Sequence, residues 1–251
     1  MSTSVLWNSR PSDVGRQIVM FPFLGGFGAS FNGLTGTLEE DWDVWTVNPP
    51  GHGSSTLPPV HRLDDLVDLY LGNLRDVLKP GAVFFGHSMG SVVAYHVLLA
   101  MAADAGFAGR RPTDLVLSAS AAPRHLPVQG YGALPEDELI RHLRSFGTFP
   151  EEVVQDADLM AMLVPAFRAD YQVLEDARRR PVTLLDVRTR LILGALDSQT
   201  PAGSTEAWQD YLAAPIRHHL LADQGHMYVL DAPARVGRIL DELSGAAVGA
   251  S

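Results

Sequence analysis

The chain has no cysteine among its 251 residues. Disulfides, thiolate metal sites and cysteine nucleophiles are therefore excluded. No apolar stretch reaches membrane-spanning length, because the longest candidates are broken by Arg, Asp or Gly, so no membrane association is expected. Residues Met1 to Gly15 are polar with scattered charges and lack the basic start and apolar run of a secretory signal, and the expected location is cytoplasmic. Positive charge is also scarce. Lys and Arg number 19 against 29 Asp and Glu, a formal net charge of −10. A general nucleic-acid binder is usually basic, so nucleic acid is not an expected partner. No His/Asp/Glu spacing resembles a zinc or calcium site, and no metal is expected. Internal repeats and low-complexity segments are absent as well.

What is present is ordinary for a globular protein: 46% hydrophobic and 19% charged residues, at a length that can bury a sizeable core. Length alone allows one large α/β domain or two small ones. Gln17–Phe21 reads as a buried strand that runs into the turn-rich Pro22-Phe23-Leu24-Gly25-Gly26. Thr37–Glu40 reads as the end of a short helix. Val44–Val47 reads as a second strand, followed by the loop Asn48-Pro49-Pro50-Gly51-His52-Gly53. Leu63, Leu66, Val67, Tyr70, Leu74 and Val77 fall at helical spacing. Ala82–Phe85 and Leu115–Ser118 read as strands on either side of an apolar helix, Met89–Ala103. From about residue 134 to 180 the periodicity is helical only (Asp137–Phe146, Glu151–Gln155, Leu159–Asp176), with Pro150 and Pro165 as breaks. Strand and helix then alternate again: Arg190–Gly194, Thr205–Leu212, Arg217–Leu221 and Pro233–Leu243. This order predicts an α/β fold with a mostly parallel central sheet covered by helices on both faces. Residues 1–251 are expected to form one domain, with 134–180 inserted as a helical lid.

Gly86-His87-Ser88-Met89-Gly90 carries the pattern Gly-x-Ser-x-Gly. The pattern alone arises by chance in roughly one chain in ten of this length. An apolar strand before it and an apolar helix directly after it supply the setting of a nucleophile elbow. There Ser88 occupies a strained turn that lifts its Oγ above the sheet edge. Gly86 and Gly90 lack side chains because strand and helix approach closely. The Met89 N–H, at the helix N-terminus, is available to an oxyanion. A serine nucleophile needs a base and an orienting acid, in this fold in the order Ser, acid, His. Asp197 lies just beyond the end of one strand and His226 in the loop after the next, where ligands bind in open α/β sheets. Asp223 is a rival acid, but it belongs to the histidine's own loop. His52 and His87 are read as structural or pocket-lining, and the pair His218-His219 as structural. The second oxyanion donor is expected in Phe23–Gly28, at the N–H of Leu24.

Together these motifs resemble the type II thioesterases that accompany polyketide synthases and nonribosomal peptide synthetases. The resemblance covers nearly the whole chain. Phe21–Gly26 is similar to that family's Phe-Pro-x-Ala-Gly-Gly loop, and Pro50–Gly53 to its Pro-Gly-His/Arg-Gly segment. Phe85–Gly90 matches its Gly-His-Ser-Met-Gly elbow. His142–Val153 resembles its lid segment, Pro165–Tyr171 its Leu-Arg-Ala-Asp-Tyr/Phe element, and Gln224–Tyr228 its Gly-Gly-His-Phe-Phe ending. Leu24 replaces the usual alanine, and Gln224 the first glycine before the histidine.

The resemblance implies an α/β-hydrolase fold. It also implies hydrolysis of acyl or aminoacyl thioesters from the phosphopantetheine arm of acyl or peptidyl carrier proteins. No cofactor is implied, because the pantetheine belongs to the partner. Carrier proteins are usually acidic, so docking on a chain of net charge −10 would use apolar contacts or a local basic patch such as Arg141/Arg144. Two other readings stay open. One is a small-molecule esterase or lipase on the same fold; the other is a non-catalytic binding protein that kept the fold.

Overall fold

The computed structural model describes residues 5–13, 15–145 and 156–243. Seven strands form one sheet in the order β1-β3-β2-β4-β5-β6-β7: β1 Leu6–Arg10, β2 Gln17–Phe21, β3 Asp43–Val47, β4 Val83–His87, β5 Asp114–Ser118, β6 Arg188–Gly194 and β7 Arg217–Leu221. All neighbours run parallel except β1, which pairs antiparallel with β3 at the edge. The helices are α1 Asn32–Thr35, α2 Leu63–Val77, α3 Met89–Ala103, α4 Glu136–Ser145, α5 Ala157–Arg179, α6 Ser204–Gln209, α7 Tyr228–Asp231 and α8 Pro233–Asp241.

The central strands are apolar without alternation because both faces of the sheet are covered. Successive side chains still point to opposite sides. Val19, Phe21 and Phe84 pack with Leu66, Tyr70 and Leu74 of α2 and with Val92 of α3. Ile18, Met20, Val83 and Phe85 face the other way, against Phe31, Trp42, Val236 and Leu240. Helix α3 is buried along most of its length and shows no polar face, as expected for a helix between a sheet and other helices.

Three expectations need correction. The segment before Gln17 contains a strand that the apolar pattern does not reveal. Only Leu6 of β1 is buried, so the strand owes its existence to edge pairing with β3 (Leu6 opposite Val47, Trp7 opposite Thr46). Pro165 does not break the helical segment, because α5 runs unbroken through it. A mid-helix proline costs about 3 kcal/mol. Here the turns on both sides are held by buried Met160, Val164, Phe167, Ala169 and Tyr171, and their burial offsets that cost. The expected helix end at Thr37–Glu40 falls a few residues late, since α1 stops at Thr35. The expected helix Glu151–Gln155 lies outside the described residues.

The loops after β2, β4, β6 and β7 all leave from the carboxyl edge of the sheet. They carry Leu24, Ser88, Asp197 and His226 respectively. No described helix is long and apolar enough to cross a membrane.

Candidate active site

Ser88 joins β4 to α3 with φ 53° and ψ −117°. A positive φ in a residue with a Cβ is strained, at a cost of order 1–3 kcal/mol. The surroundings fix it: the Ser88 N–H donates to Ser118 O at 2.7 Å and the Ser91 N–H to Ser88 O at 3.0 Å. The Ser91 hydroxyl donates to Gly86 O at 2.7 Å. The glycines permit the close approach. A Cβ on Gly86 would lie 2.3 Å from the backbone C and O of Gly90, and one on Gly90 would lie 2.0 Å from Phe21 O.

The structure brings Ser88, His226 and Asp197 into one hydrogen-bonded chain. His226 Nε2 is 3.0 Å from Ser88 Oγ, and His226 Nδ1 is 2.9 Å from Asp197 Oδ2. The Asp197 side chain is only 1% exposed. Its Oδ1 accepts from the N–H groups of Gln199 and Thr200 at 2.8 and 3.1 Å, and its Oδ2 also accepts from the Thr200 hydroxyl at 2.6 Å. Burial works against the carboxylate's charge, but the donors from His226, Thr200 and Gln199 outweigh it and hold Asp197 down at about 2. A carboxylate so saturated accepts only, so His226 carries its proton on Nδ1 and turns a free lone pair on Nε2 toward Ser88. Asp223, the rival acid, is exposed and pairs with Arg235 instead.

This arrangement makes a specific prediction. Asn at 197 can donate to Nδ1, which favours the tautomer with the proton on Nε2 and removes the base facing Ser88. Asp197→Asn is expected to lower kcat on the order of 10³–10⁴-fold with the fold intact; steady-state kinetics with a circular dichroism check would measure it. A loss below about tenfold would mean that Asp197 is not the orienting acid.

Two features of the site were not legible in advance. The His87 ring is fully buried, and its Nε2 donates to the backbone O of His226 at 3.0 Å. Burial above all, with repulsion from the neighbouring His226 imidazole whenever that ring is protonated, drives the ring well toward its neutral form, so its Nδ1 accepts from the Ser118 hydroxyl at 2.9 Å. Ser118 Oγ also meets the Tyr228 hydroxyl at 2.7 Å. His87 therefore ties the His226 loop to the elbow. The second feature is a buried pair between His52 and Asp170, with Nε2 and Oδ2 3.0 Å apart. His218 and His219 lie on β7, and no group of three His, Asp or Glu among the described residues could hold a metal ion.

Ser88, Met89 and His226 open onto a cavity of about 440 Å³ that Leu24 also lines. Its wall is mainly apolar: Phe23, Leu126, Val128, Leu143, Phe167 and Leu174, with Tyr131, His142 and Tyr171 as polar members. The last three form a cluster in which Tyr131 stacks on His142 at 3.9 Å and His142 Nε2 is 3.0 Å from the Tyr171 hydroxyl. Met89 is the first residue of α3, and Leu24 sits in a tight turn closed by the Gly26 N–H donating to Phe23 O at 2.8 Å. A serine, a base and backbone donors around an apolar cavity can perform acyl transfer. Of the basic residues considered for docking, Arg141 faces Asp137 at 3.4 Å on the exposed side of α4.

Comparison with known proteins points the same way. The family model for the Thioesterase domain matches residues 16–245. The gramicidin S biosynthesis protein GrsT of Aneurinibacillus migulanus is 25% identical over 197 residues, covering 77% of this chain and 75% of that protein. The medium-chain S-acyl fatty acid synthase thioesterase of Homo sapiens is 26% identical, covering 86% and 81%. Among solved structures, the type II thioesterase BorB from the borrelidin biosynthetic cluster superposes with a TM-score of 0.83 at 26% identity, covering 96% of this chain and 98% of that one.

Proposed function

Because the chain belongs to the Thioesterase domain family, we propose that it is a type II thioesterase of a polyketide or nonribosomal peptide system. It hydrolyses acyl or aminoacyl thioesters on the phosphopantetheine arm of acyl or peptidyl carrier proteins. The observation that carries this reading is the Ser88–His226–Asp197 chain opening onto an apolar cavity. Likeness to GrsT, a gramicidin S biosynthesis protein, and to BorB, a type II thioesterase from the borrelidin biosynthetic cluster, supports the pathway context.

The reaction follows from the geometry. Ser88 Oγ attacks the thioester carbonyl while His226 Nε2 takes its proton, and Asp197 stabilises the imidazolium. The N–H groups of Met89 and Leu24 receive the oxyanion. The C–S bond breaks, the pantetheine thiol leaves with the proton from His226, and an acyl ester remains on Ser88. Water, deprotonated by His226, attacks that ester, and its collapse releases the carboxylic acid and restores the serine. The cavity holds the acyl chain, and α4 and α5, between β5 and β6, act as a lid that keeps bulk water out. The working location is the cytoplasm, where carrier proteins are loaded.

The test is turnover of an acyl-phosphopantetheinyl carrier protein beside a free ester of the same acid. Release from the carrier at a kcat/KM at least about tenfold above the ester supports the reading. Turnover of the ester alone would make the protein an esterase on the same fold. A protein that cleaves neither, and whose Ser88 ignores a fluorophosphonate, would be a binding protein.

A further inference from the structure

The described residues hold a second buried histidine–carboxylate pair, separate from the Ser88 chain. His52 is 4% exposed and Asp170, on α5, is 5% exposed. His52 Nδ1 is 3.0 Å from Pro50 O, and Nε2 is 3.0 Å from Asp170 Oδ2. A carbonyl and a carboxylate both accept only, so both ring nitrogens carry protons and the pair is ionic. Burial pulls the imidazole toward neutrality, but the charge of Asp170 and the hydrogen bonds to Asp170, Pro50 and Pro49 leave His52 above its ordinary value. The other titratable groups under the influence of Asp170 are the Tyr70 and Tyr171 hydroxyls. Burial and the carboxylate raise both, so they stay neutral.

The same Asp170 Oδ2 accepts the N–H of Gly25 at 2.8 Å. Gly25 is the third residue of the Phe23–Gly26 turn and has φ +74°, which glycine adopts freely. Phe167, one turn before Asp170 on α5, presses its ring where a side chain would be: a Cβ on Gly25 would lie 2.1 Å from Phe167 Cζ. Two residues of α5 thus grip the turn that carries Leu24. The bonded N–H belongs to the Leu24–Gly25 peptide, so the carboxylate fixes the plane next to the Leu24 N–H. Neither His52 nor Asp170 is among the described residues lining the cavity.

We propose that Asp170, tethered to His52, is a positioning residue for the oxyanion hole: it aims the Leu24 N–H, so the hole is complete only while α5 is seated on the Phe23–Gly26 turn. The inference rests on the assignments of Ser88 and Leu24 above. An oxyanion donor acts through preorganisation and matters most in the transition state. Loosening the tether should therefore lower kcat and leave KM nearly unchanged. As pH rises through the titration of His52, the ring loses one proton and can no longer serve both Pro50 O and Asp170. The grip weakens and kcat declines on the alkaline side.

The experiment measures kcat and KM of wild type, Asp170→Asn and His52→Arg on a small acyl thioester from neutral to alkaline pH, with fluorophosphonate labelling of wild type in parallel. Asp170→Asn should lose about 10- to 100-fold in kcat with KM within about twofold. His52→Arg, a cation at every pH tested, should keep most of the activity and flatten the alkaline decline. If Asp170→Asn fails to fold, His52→Arg carries the test alone. An alkaline decline unchanged by His52→Arg overturns the inference, as does an unchanged kcat in folded Asp170→Asn. A wild type that neither labels nor turns over would overturn the site assignment and this inference with it. A wild type that does both isolates the failure to the tether.

Discussion

Ser88→Ala is expected to lower kcat on a carrier-bound acyl thioester on the order of 10⁵-fold while leaving the fold unchanged. The argument is geometric. Ser88 Oγ is 3.0 Å from His226 Nε2, and it stands at an elbow whose strain the surrounding hydrogen bonds sustain. Without the hydroxyl no acyl-enzyme forms, and what remains is direct water attack on the bound thioester. Truncation removes one oxygen from a partly exposed position, so the thermal midpoint should shift by only a few degrees. Alanine has a Cβ like serine and relieves none of the strain of the positive φ, so the folding comparison is between residues with equal backbone demands. Quenched time courses on the carrier-bound substrate, with intact-mass detection of the acyl-enzyme in wild type, would measure the loss. A mutant within about tenfold of wild type would remove Ser88 from the chemistry.

The second large effect concerns stability. Gly86→Ala and Gly90→Ala each place a methyl 2.0–2.3 Å from backbone atoms of Gly90 or Phe21. Backbone at the carboxyl end of β2 and at the first turn of α3 cannot yield without separating strand from helix. Each substitution is expected to cost more than about 4 kcal/mol, the range reserved for overpacking with no room to relax. At about 2–4 °C per kcal/mol for a chain of this size, the midpoint should fall by roughly 10 °C or more. Gly72→Ala is the control. It lies within α2 with nothing within 4 Å of its added methyl, and helix propensity should make it stabilising by about 0.5–1 kcal/mol. Thermal unfolding of the three variants measures the contrast, and a Gly86→Ala protein melting with wild type would contradict the close approach.

The elements that sequence alone determined are those whose signal is local. Continuous apolar runs at Gln17–Phe21 and Leu115–Ser118 mark strands covered on both faces, and Leu63, Leu66, Val67, Tyr70 and Leu74 mark a helix with one buried stripe. The elbow was legible because Gly-x-Ser-x-Gly sits between such a strand and such a helix. The chain order of Ser88, Asp197 and His226 also follows from which strand ends each one follows. Tertiary structure decided the rest, because its causes lie far apart in the chain. Strand β1 has no apolar run and exists through its pairing with β3. Helix α5 tolerates Pro165 because packing on both sides outweighs the lost hydrogen bond. Chain order favours Asp197 over Asp223 as the acid that orients His226, and the burial and hydrogen-bond donors around Asp197, against an exposed Asp223 paired with Arg235, come only from the tertiary structure. His52 and Asp170 are 118 residues apart. Neither periodicity nor motif spacing reports such a contact, because a buried ion pair is specified only by the three-dimensional site that excludes water from both partners.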